Sequence, residues 1–265
     1  MNYFRLPDGR RIAIRIEGDE RLPWLVLSNS LAADYTMWDS QMKALLRRYR
    51  VLCYDTRGHG DSSAPEGPYS FDDLVGDVIA LLDGFDIDKT AFMGLSLGGM
   101  TGLGLALTHP TRVSALVCCD ARADAPSAFI KSWDERVAQV RAHGLQSILA
   151  ETLERWLSQR FREANPDEAA RIATMILKTS TVGYAGCAEA LKRLAYLGSL
   201  DRIVHRTLFV VGSDDLGAPP SVMRDMARRV PGALYREVAG SAHLPNVDNP
   251  EGFFKAINDF LGLDR

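Results

Sequence analysis

The chain has 265 residues, of which 46% are hydrophobic and 25% are charged, as is usual for a globular protein. The chain has 31 Lys and Arg residues and 34 Asp and Glu residues, so its net charge is −3. An acidic chain without a run of basic residues is a poor candidate for binding nucleic acid or an anionic membrane. No apolar stretch approaches the ~20 residues that span a bilayer, and the N-terminus lacks the basic-then-apolar pattern of a secretory signal.

Strands alternate with helices along the first part of the chain. A hairpin turn at Asp8-Gly9 precedes an alternating strand at 11–16, and the runs after it predict further strands, several of them covered on both faces. These strands are predicted at 24–27, 51–54, 89–93 and 115–119, with helices at 38–49, 71–85 and 98–107. Open α/β sheets bind ligands where their strands end, so the loops after these strands are candidate sites.

The alternation stops between about residue 121 and residue 199. That stretch predicts four helices, at 128–142, 145–161, 166–178 and 182–197. Strands at 207–211 and 234–238 and helices at 220–230 and 250–261 then resume the earlier pattern. We therefore predict an α/β fold with a mostly parallel sheet flanked by helices, in which a core of 1–121 and 199–265 carries an inserted four-helix cap of 122–198.

The four cysteines show no CxxC spacing, and Cys118 and Cys119 are adjacent in a predicted strand, where they point to opposite faces. We expect buried, reduced thiols, which suit the cytoplasm. No group of His, Cys and carboxylate residues has the spacing of metal ligands, so we expect neither a metal nor another cofactor.

The pattern Gly-x-Ser-x-Gly occurs at residues 94–98, between a predicted strand and a predicted helix. A sharp turn there projects the hydroxyl of Ser96 from the backbone, and Gly94 and Gly98 remove the side chains that would collide. A glycine-rich helix start also occurs in phosphate-binding folds, but neither Gly-x-Gly-x-x-Gly nor Gly-Lys-Ser/Thr is present. The pattern therefore favours a serine nucleophile.

A serine nucleophile needs a base and an acid that orients the base. His243 fits best, because it follows the last predicted strand on the carboxyl edge of the sheet and comes last in the order Ser…Asp/Glu…His. His59 lies on the same edge and is the alternative base, although its glycine neighbours indicate a turn. For the acid, Asp215 is favoured over its neighbour Asp214; Asp120, after the preceding strand, is an outside candidate.

An oxyanion needs two N–H donors held in place. The amide of Leu97 follows from the turn at Ser96, at the positive end of a helix. The second donor should come from the loop after strand 24–27, and we choose the amide of Leu31.

Several segments together resemble the 3-oxoadipate enol-lactonases, a branch of the α/β-hydrolase fold family. The matching segments are 28–31, 37–38, 54–60, 67–70, 94–100, 153–156, 183–187 and 242–244. The resemblance implies a triad of Ser96, Asp215 and His243 beneath a helical cap. It also implies cofactor-free lactone hydrolysis in the breakdown of aromatic compounds by the β-ketoadipate pathway. Gly212-x-x-Asp215 followed by two prolines matches the family's acid loop.

The chain departs from this family in two places. Ala32-Ala33 stands where a glycine is expected, and residues 120–124 replace an Asn-Thr-Ala-like entry to the cap. Both changes touch the predicted pocket. An enol-lactone carries a carboxylate, and Trp133 and Arg136, three residues apart on the first cap helix, match the family as candidate substrate-binding residues.

Other readings of the same residues stay open. Trp133 and Arg136 could be a core tryptophan beside a solvated arginine, and Arg122 is a weaker pocket candidate. A broad-specificity carboxylesterase or a cofactor-free perhydrolase, haloperoxidase-like, would use the same triad, and a hydrolase-like binding protein would use only the pocket. Dehalogenation needs a carboxylate where Ser96 stands. The expected partner is a small ester or lactone, and the chain could form a homo-oligomer.

Overall fold

The computed structural model describes residues 2–264, and in them eight strands form one sheet in the order β1-β2-β4-β3-β5-β6-β7-β8. The strands are β1 (Asn2–Arg5), β2 (Arg11–Glu17), β3 (Trp24–Ser28), β4 (Arg50–Tyr54), β5 (Thr90–Leu95), β6 (Val113–Cys119), β7 (Arg206–Gly212) and β8 (Leu234–Val238). β1 and β2 are antiparallel neighbours, β2 runs antiparallel to β4, and the other pairs are parallel. The predicted fold class is confirmed.

The helices of the described residues cover both faces of this sheet or lie in the insertion. They are α1 (Asp39–Leu45), α2 (Phe71–Gly84), α3 (Leu97–Thr108), α4 (Ser127–His143), α5 (Leu149–Trp156), α6 (Gln159–Ala164), α7 (Pro166–Lys178), α8 (Thr181–Lys192), α9 (Pro220–Arg229), α10 (Pro245–Asp248) and α11 (Pro250–Leu261). α2 begins with a capping box, because Ser70 and Asp73 each bond to the other's backbone N–H. None of these helices combines the length and apolarity needed to cross a bilayer.

The insertion between β6 and β7 holds five α-helices within residues 2–264. The sequence predicts four, and the difference arises because one predicted helix is broken into two. The break falls inside the predicted helix 145–161, where Leu157 is fully buried in extended backbone. Ser158 then caps α6 by accepting from the N–H of Phe161, while its hydroxyl donates to Asp248 at 2.7 Å. This contact with a distant helix outweighs the local periodicity, which is why the sequence pattern missed it.

The core lies on both faces of the central strands. β3, β5 and β6 are buried along almost their whole length, as continuous apolar runs in a parallel sheet should be. All four cysteines are buried and free, which agrees with the expected reduced thiols. Because β5 lies in the middle of the sheet, the turn that follows it has strand ends on either side.

Candidate active site

Ser96 sits on the turn between β5 and α3 with φ +55° and ψ −115°. A positive φ is uncommon for a residue with a side chain, and such strain persists only when the surroundings impose it. Here the N–H of Ser96 donates to the carbonyl of Cys119 at the end of β6, at 2.8 Å. The backbone strain and this bond together hold the serine at the carboxyl edge of the sheet.

Gly94 and Gly98 allow the strand and the helix on either side of the serine to approach closely. A Cβ on Gly94 would lie 2.2 Å from the carbonyl oxygen of Gly98, and one on Gly98 would lie 2.3 Å from that of Ser28 in β3. Both distances are far shorter than any van der Waals contact. The two glycines are therefore required by backbone packing, as the sequence pattern predicted.

The loop after β3 lies against the start of α3, because the N–H of Gly98 donates to the carbonyl of Asn29 at 3.0 Å. The Asn29 side chain is itself fixed by Trp38 Nε1 at 3.0 Å and by the carbonyl of Tyr54 at 2.8 Å. Within residues 2–264, neither the N–H of Leu31 nor that of Leu97 has a hydrogen-bond acceptor. Both N–H groups are therefore available as donors, as the predicted oxyanion site requires.

Asp215 and His243 come together although 28 residues separate them. His243 Nδ1 lies 2.9 Å from Asp215 Oδ2, and the carboxyl also accepts from the N–H of Gly217 at 2.7 Å. Burial raises the pKa of Asp215, but the charge and hydrogen bond of His243 and the N–H groups of Gly217 and Ala218 outweigh it and lower that pKa below its ordinary value. An ionised Asp215 is therefore paired with the imidazole.

Two alternatives from the sequence occupy different surroundings. Asp214 is exposed and accepts from the hydroxyl of Ser213 at 2.9 Å. His59 is fully buried, with Nδ1 3.0 Å from the carbonyl of Arg57, and it does not line the cavity that contains Ser96. Burial lowers the pKa of His59 to about 4. Neither residue contacts the Asp215–His243 pair in the way that a triad member would.

One cavity of about 40 Å³ is lined by most of the predicted site residues, but not by Asp215 or Leu97. Its lining residues are Ser30, Leu31, Ala32, Ser96, Trp133, Arg136, Thr152, Arg155, Trp156, Tyr184 and His243. The serine and histidine come from the core, whereas the tryptophans, arginines and tyrosine come from α4, α5 and α8. The cavity is smaller than the roughly 300 Å³ or more of typical ligand sites.

Arg136 reaches the cavity from α4 with 13% of its side chain exposed and forms an ion pair with Glu151. Its guanidinium lies 5.5 Å from the ring of Trp133, whose ring centre is 6.1 Å from that of Tyr184. Arg155 pairs with the same Glu151 at 3.6 Å. Two cations and three aromatic side chains, Trp156 being the third, therefore line the cavity that Ser96 also lines, and a single exposed carboxylate pairs with both cations.

Arg155 and Tyr184 have no pocket role predicted from the sequence, although both fall within segments that carry the family resemblance. Helical periodicity identifies a face but not the cavity which that face meets, so no local signal could place them. Arg122, the weaker candidate, lies outside the cavity lining. Its guanidinium lies 5.1 Å from the ring of Phe129 and 3.4 Å from Asp124.

Asp120 adds a second buried carboxyl beside the pair. One oxygen of Asp120, one of Asp215 and one ring nitrogen of His243 all lie within 4.8 Å of one another. Such a donor set could hold a cation, and sequence spacing did not reveal it because the three residues follow three different strands. The 2.9 Å hydrogen bond between Asp215 and His243 already engages two of these atoms, so we do not assign them as metal ligands.

The comparisons with known proteins agree with this geometry. A family model described as the alpha/beta hydrolase fold matches residues 23–250. A 3-oxoadipate enol-lactonase of Acinetobacter baylyi is 35% identical, over 91% of this chain and 89% of that protein. The crystal structure of an enol-lactonase from Burkholderia xenovorans superposes with a TM-score of 0.94 at 36% identity, covering 98% of this chain and all of that one.

A thermophilic esterase from Thermogutta terrifontis, solved with malate bound, has a TM-score of 0.91 at 28% identity, covering 99% of this chain and 98% of that one. The eight-stranded, mostly parallel sheet with its flanking helices meets the description of the matching family model. The chain belongs to the α/β-hydrolase fold family.

Proposed function

We propose that this protein is a serine hydrolase of carboxylic esters and that its best-supported substrate is an enol-lactone of the 3-oxoadipate type. One observation carries the proposal: Ser96 and His243 line the same cavity, and Asp215 is hydrogen-bonded behind the histidine. The names of the related enol-lactonases support the lactone as substrate.

In this mechanism His243 takes the proton of the Ser96 hydroxyl, and the serine oxygen attacks the lactone carbonyl carbon. The amides of Leu31 and Leu97 hold the oxyanion, each worth about 3–4 kcal/mol. The ring C–O bond then breaks, the departing enol oxygen takes the proton from His243, and an acyl-enzyme remains on Ser96. A water that His243 activates attacks this ester and releases the free acid.

Arg136 and Trp133 bind the carboxylate and the ring of the substrate in this proposal. Arg136 supports it because its guanidinium is largely buried and points to the cavity that Ser96 lines. Arg136 shares its carboxylate partner, the exposed Glu151, with Arg155, so two cations face this pocket with one counter-charge between them. A second carboxylate, from an anionic ligand, would balance the remaining charge. The malate in the Thermogutta esterase is a dicarboxylate, which agrees with an anionic ligand for this family.

A broad-specificity carboxylesterase is the second candidate. The likeness to the Thermogutta esterase favours it, and it would need every catalytic residue named above. The two functions differ in the role of Arg136. The carboxylate of an enol-lactone would bind this cation, whereas a neutral ester would not.

We propose that residues 122–198 act as a cap and that 1–121 with 199–265 form the catalytic core. The two ends of the insertion support this division, because Asp124 bridges to Ala195 and the N–H of Tyr196 donates to the carbonyl of Ala123 at 2.7 Å. A segment whose ends meet can move as a unit. We also propose a cytoplasmic location, which the four free buried thiols support.

Steady-state assays on 3-oxoadipate enol-lactone and on short p-nitrophenyl esters, side by side, test the proposal. We expect the lactone to be preferred by at least about 100-fold in kcat/KM, and Ser96→Ala to lower turnover of both by about 10⁴-fold or more while the protein stays folded. Ser132→Ala, on the exposed face of α4, is the matched control. Normal turnover by the Ser96 variant would refute the mechanism, and equal use of both substrates would favour the esterase.

A further inference from the structure

Asp120 directly follows β6, is fully buried, and has φ +45°. Its N–H donates to the carbonyl of Val210 in β7 at 2.9 Å, and its Oδ1 accepts from the N–H of Gly212 at 2.8 Å. The loop that carries Asp215 begins at that glycine. Asp120 therefore ties the end of one strand to the base of the acid loop.

The second oxygen of Asp120, Oδ2, is buried and accepts no hydrogen bond from the described residues. A buried carboxylate oxygen without a donor is unfavourable, because it has lost its hydrogen bonds to water and formed none with the protein. A proton on that oxygen would turn it into a donor. The neighbouring carboxylate of Asp215 has lone pairs available, since His243 and two N–H groups occupy only part of its accepting capacity.

The surrounding charges agree with a neutral Asp120. The groups facing it are Cys118 and Cys119 on β6, Asp215, and the imidazole of His243, and no Lys or Arg among the described residues forms an ion pair with it. Burial raises the pKa of Asp120 well above its ordinary value, and the charge of Asp215 raises it further. Two carboxyls this close cannot both ionise easily, and Asp215 is the one whose ionised form accepts hydrogen bonds from His243 and from the N–H groups of Gly217 and Ala218.

We propose that Asp120 is a protonated positioning residue that donates a hydrogen bond from Oδ2 to Asp215 and so fixes the acid of the triad. This inference rests on the proposed role of Asp215. The proton stays between the two carboxyls throughout turnover, and no bond to substrate is made by Asp120. The residue therefore acts through Asp215 and His243, by orientation.

Asp120→Asn tests the charge state. The amide oxygen can still accept from Gly212 and the NH₂ group can still donate to Asp215, so we expect kcat within about threefold of the parent. We also expect the midpoint of the acid limb of the kcat/KM–pH profile to move by less than about 0.3 unit. If Asp120 were instead ionised beside His243, removing its charge would lower that midpoint by about 2 units, at an effective dielectric constant of about 20. That shift would overturn the proposal.

Asp120→Ala tests the positioning role, because it removes the donor to Asp215. We expect kcat to fall by about 10- to 100-fold with KM within twofold, and Asp120→Asn to restore most of the loss. A fall in kcat of about 10³-fold or more in the Asn variant as well would identify Asp120 as the ionised acid, in contradiction to the proposal. A full kcat in the Ala variant would also refute it.

Infrared difference spectroscopy between the parent and Asp120→Asn provides a readout that does not depend on turnover or on the Ala variant folding. The parent should show the carbonyl stretch of a protonated carboxylic acid at neutral pH, and the Asn variant should lack it. Absence of this band in the parent would overturn the proposal. If Ser96→Ala retained full turnover, the proposed function would fail while the infrared result still reported the protonation of Asp120.

Discussion

The turn at Ser96 and the inserted helices meet at one cavity but are built differently. In α3, which directly follows Ser96, every residue from Leu97 to Ala106 is buried, and glycines bring the backbone against β3 and β5. In α4, from the insertion, only Val137 and Val140 are buried. Its polar side chains form ion pairs with neighbouring helices, Arg136 with Glu151 and Asp134 with Lys192. Backbone packing therefore fixes the turn at Ser96, whereas α4 contributes side chains, Trp133 and Arg136, to the lining of the cavity. Substitutions should therefore be costly in the first region and selective in the second.

Gly98→Ala should have the largest effect. The new Cβ would lie 2.3 Å from a carbonyl oxygen of Ser28, so strand or helix must move. We expect a loss of about 3 kcal/mol or more in the free energy of unfolding and a fall in kcat of more than about 100-fold. Urea unfolding and steady-state kinetics measure both quantities.

Gly76→Ala is the matched control, since Gly76 is exposed in α2 and an added Cβ meets nothing within 4 Å. It should be neutral or stabilise by up to about 1 kcal/mol. Equal effects of the two substitutions would mean that close backbone approach is not what distinguishes the serine turn.

His59→Gln should change how stability depends on pH. Burial lowers the pKa of His59 to about 4, below the ~6.5 of an unfolded chain, so the unfolded state binds the proton more readily. The parent should therefore gain stability as the pH rises from about 4 to 6.5, by up to about 3 kcal/mol from this residue. The variant should lose that rise, whatever its overall stability.

Unfolding curves at several pH values measure this rise directly. His143→Gln, at an exposed position in the insertion, should keep the parental profile. A parental slope in the His59 variant would show that some other group accounts for the acid sensitivity.

Glu151→Gln should alter specificity with little effect on folding. Glu151 is 59% exposed and pairs with Arg136 and Arg155, so under the proposed function it would compete with the substrate carboxylate for both cations. Exposed ion pairs contribute at most about 1 kcal/mol, and we expect KM for the anionic lactone to fall by about two- to fivefold. Kinetics on p-nitrophenyl acetate should be unaffected, because this ester is neutral.

Glu154→Gln, on the exposed face of the same helix, controls for the change in net charge. A similar change in KM for both substrates, or for both variants, would argue against competition at the guanidinium groups.

Ala32→Gly should have the smallest effect. Ala32 adopts φ +63°, the left-handed region that a glycine reaches without a steric cost, and the sequence comparison expected a glycine near here. We expect a gain of about 0.5–1 kcal/mol, or 1–3 °C in Tm. Ala33→Gly, where φ is not positive, should instead lower Tm slightly, and scanning calorimetry on the pair distinguishes the two positions.

The residues of the proposed triad could be predicted because each follows a strand whose apolar run marks it clearly. The chain order of serine, acid and base then reduced the candidates, and the choice of Asp215 over Asp214 gained support from the spacing Gly212-x-x-Asp215. The break between α5 and α6 could not be predicted in this way, since Ser158, which caps the start of α6, is held there by Asp248, ninety residues further on.

The sequence by itself determined the alternation of strands and helices, the turn at Ser96 and the order of the catalytic candidates, because these depend on local periodicity, glycine and chain direction. Only the tertiary structure decided that Arg155 and Tyr184 line the cavity, that Glu151 pairs with both arginines, and that Asp120 lies beside Asp215. Those contacts depend on which faces of distant elements meet, and on burial that no local pattern encodes.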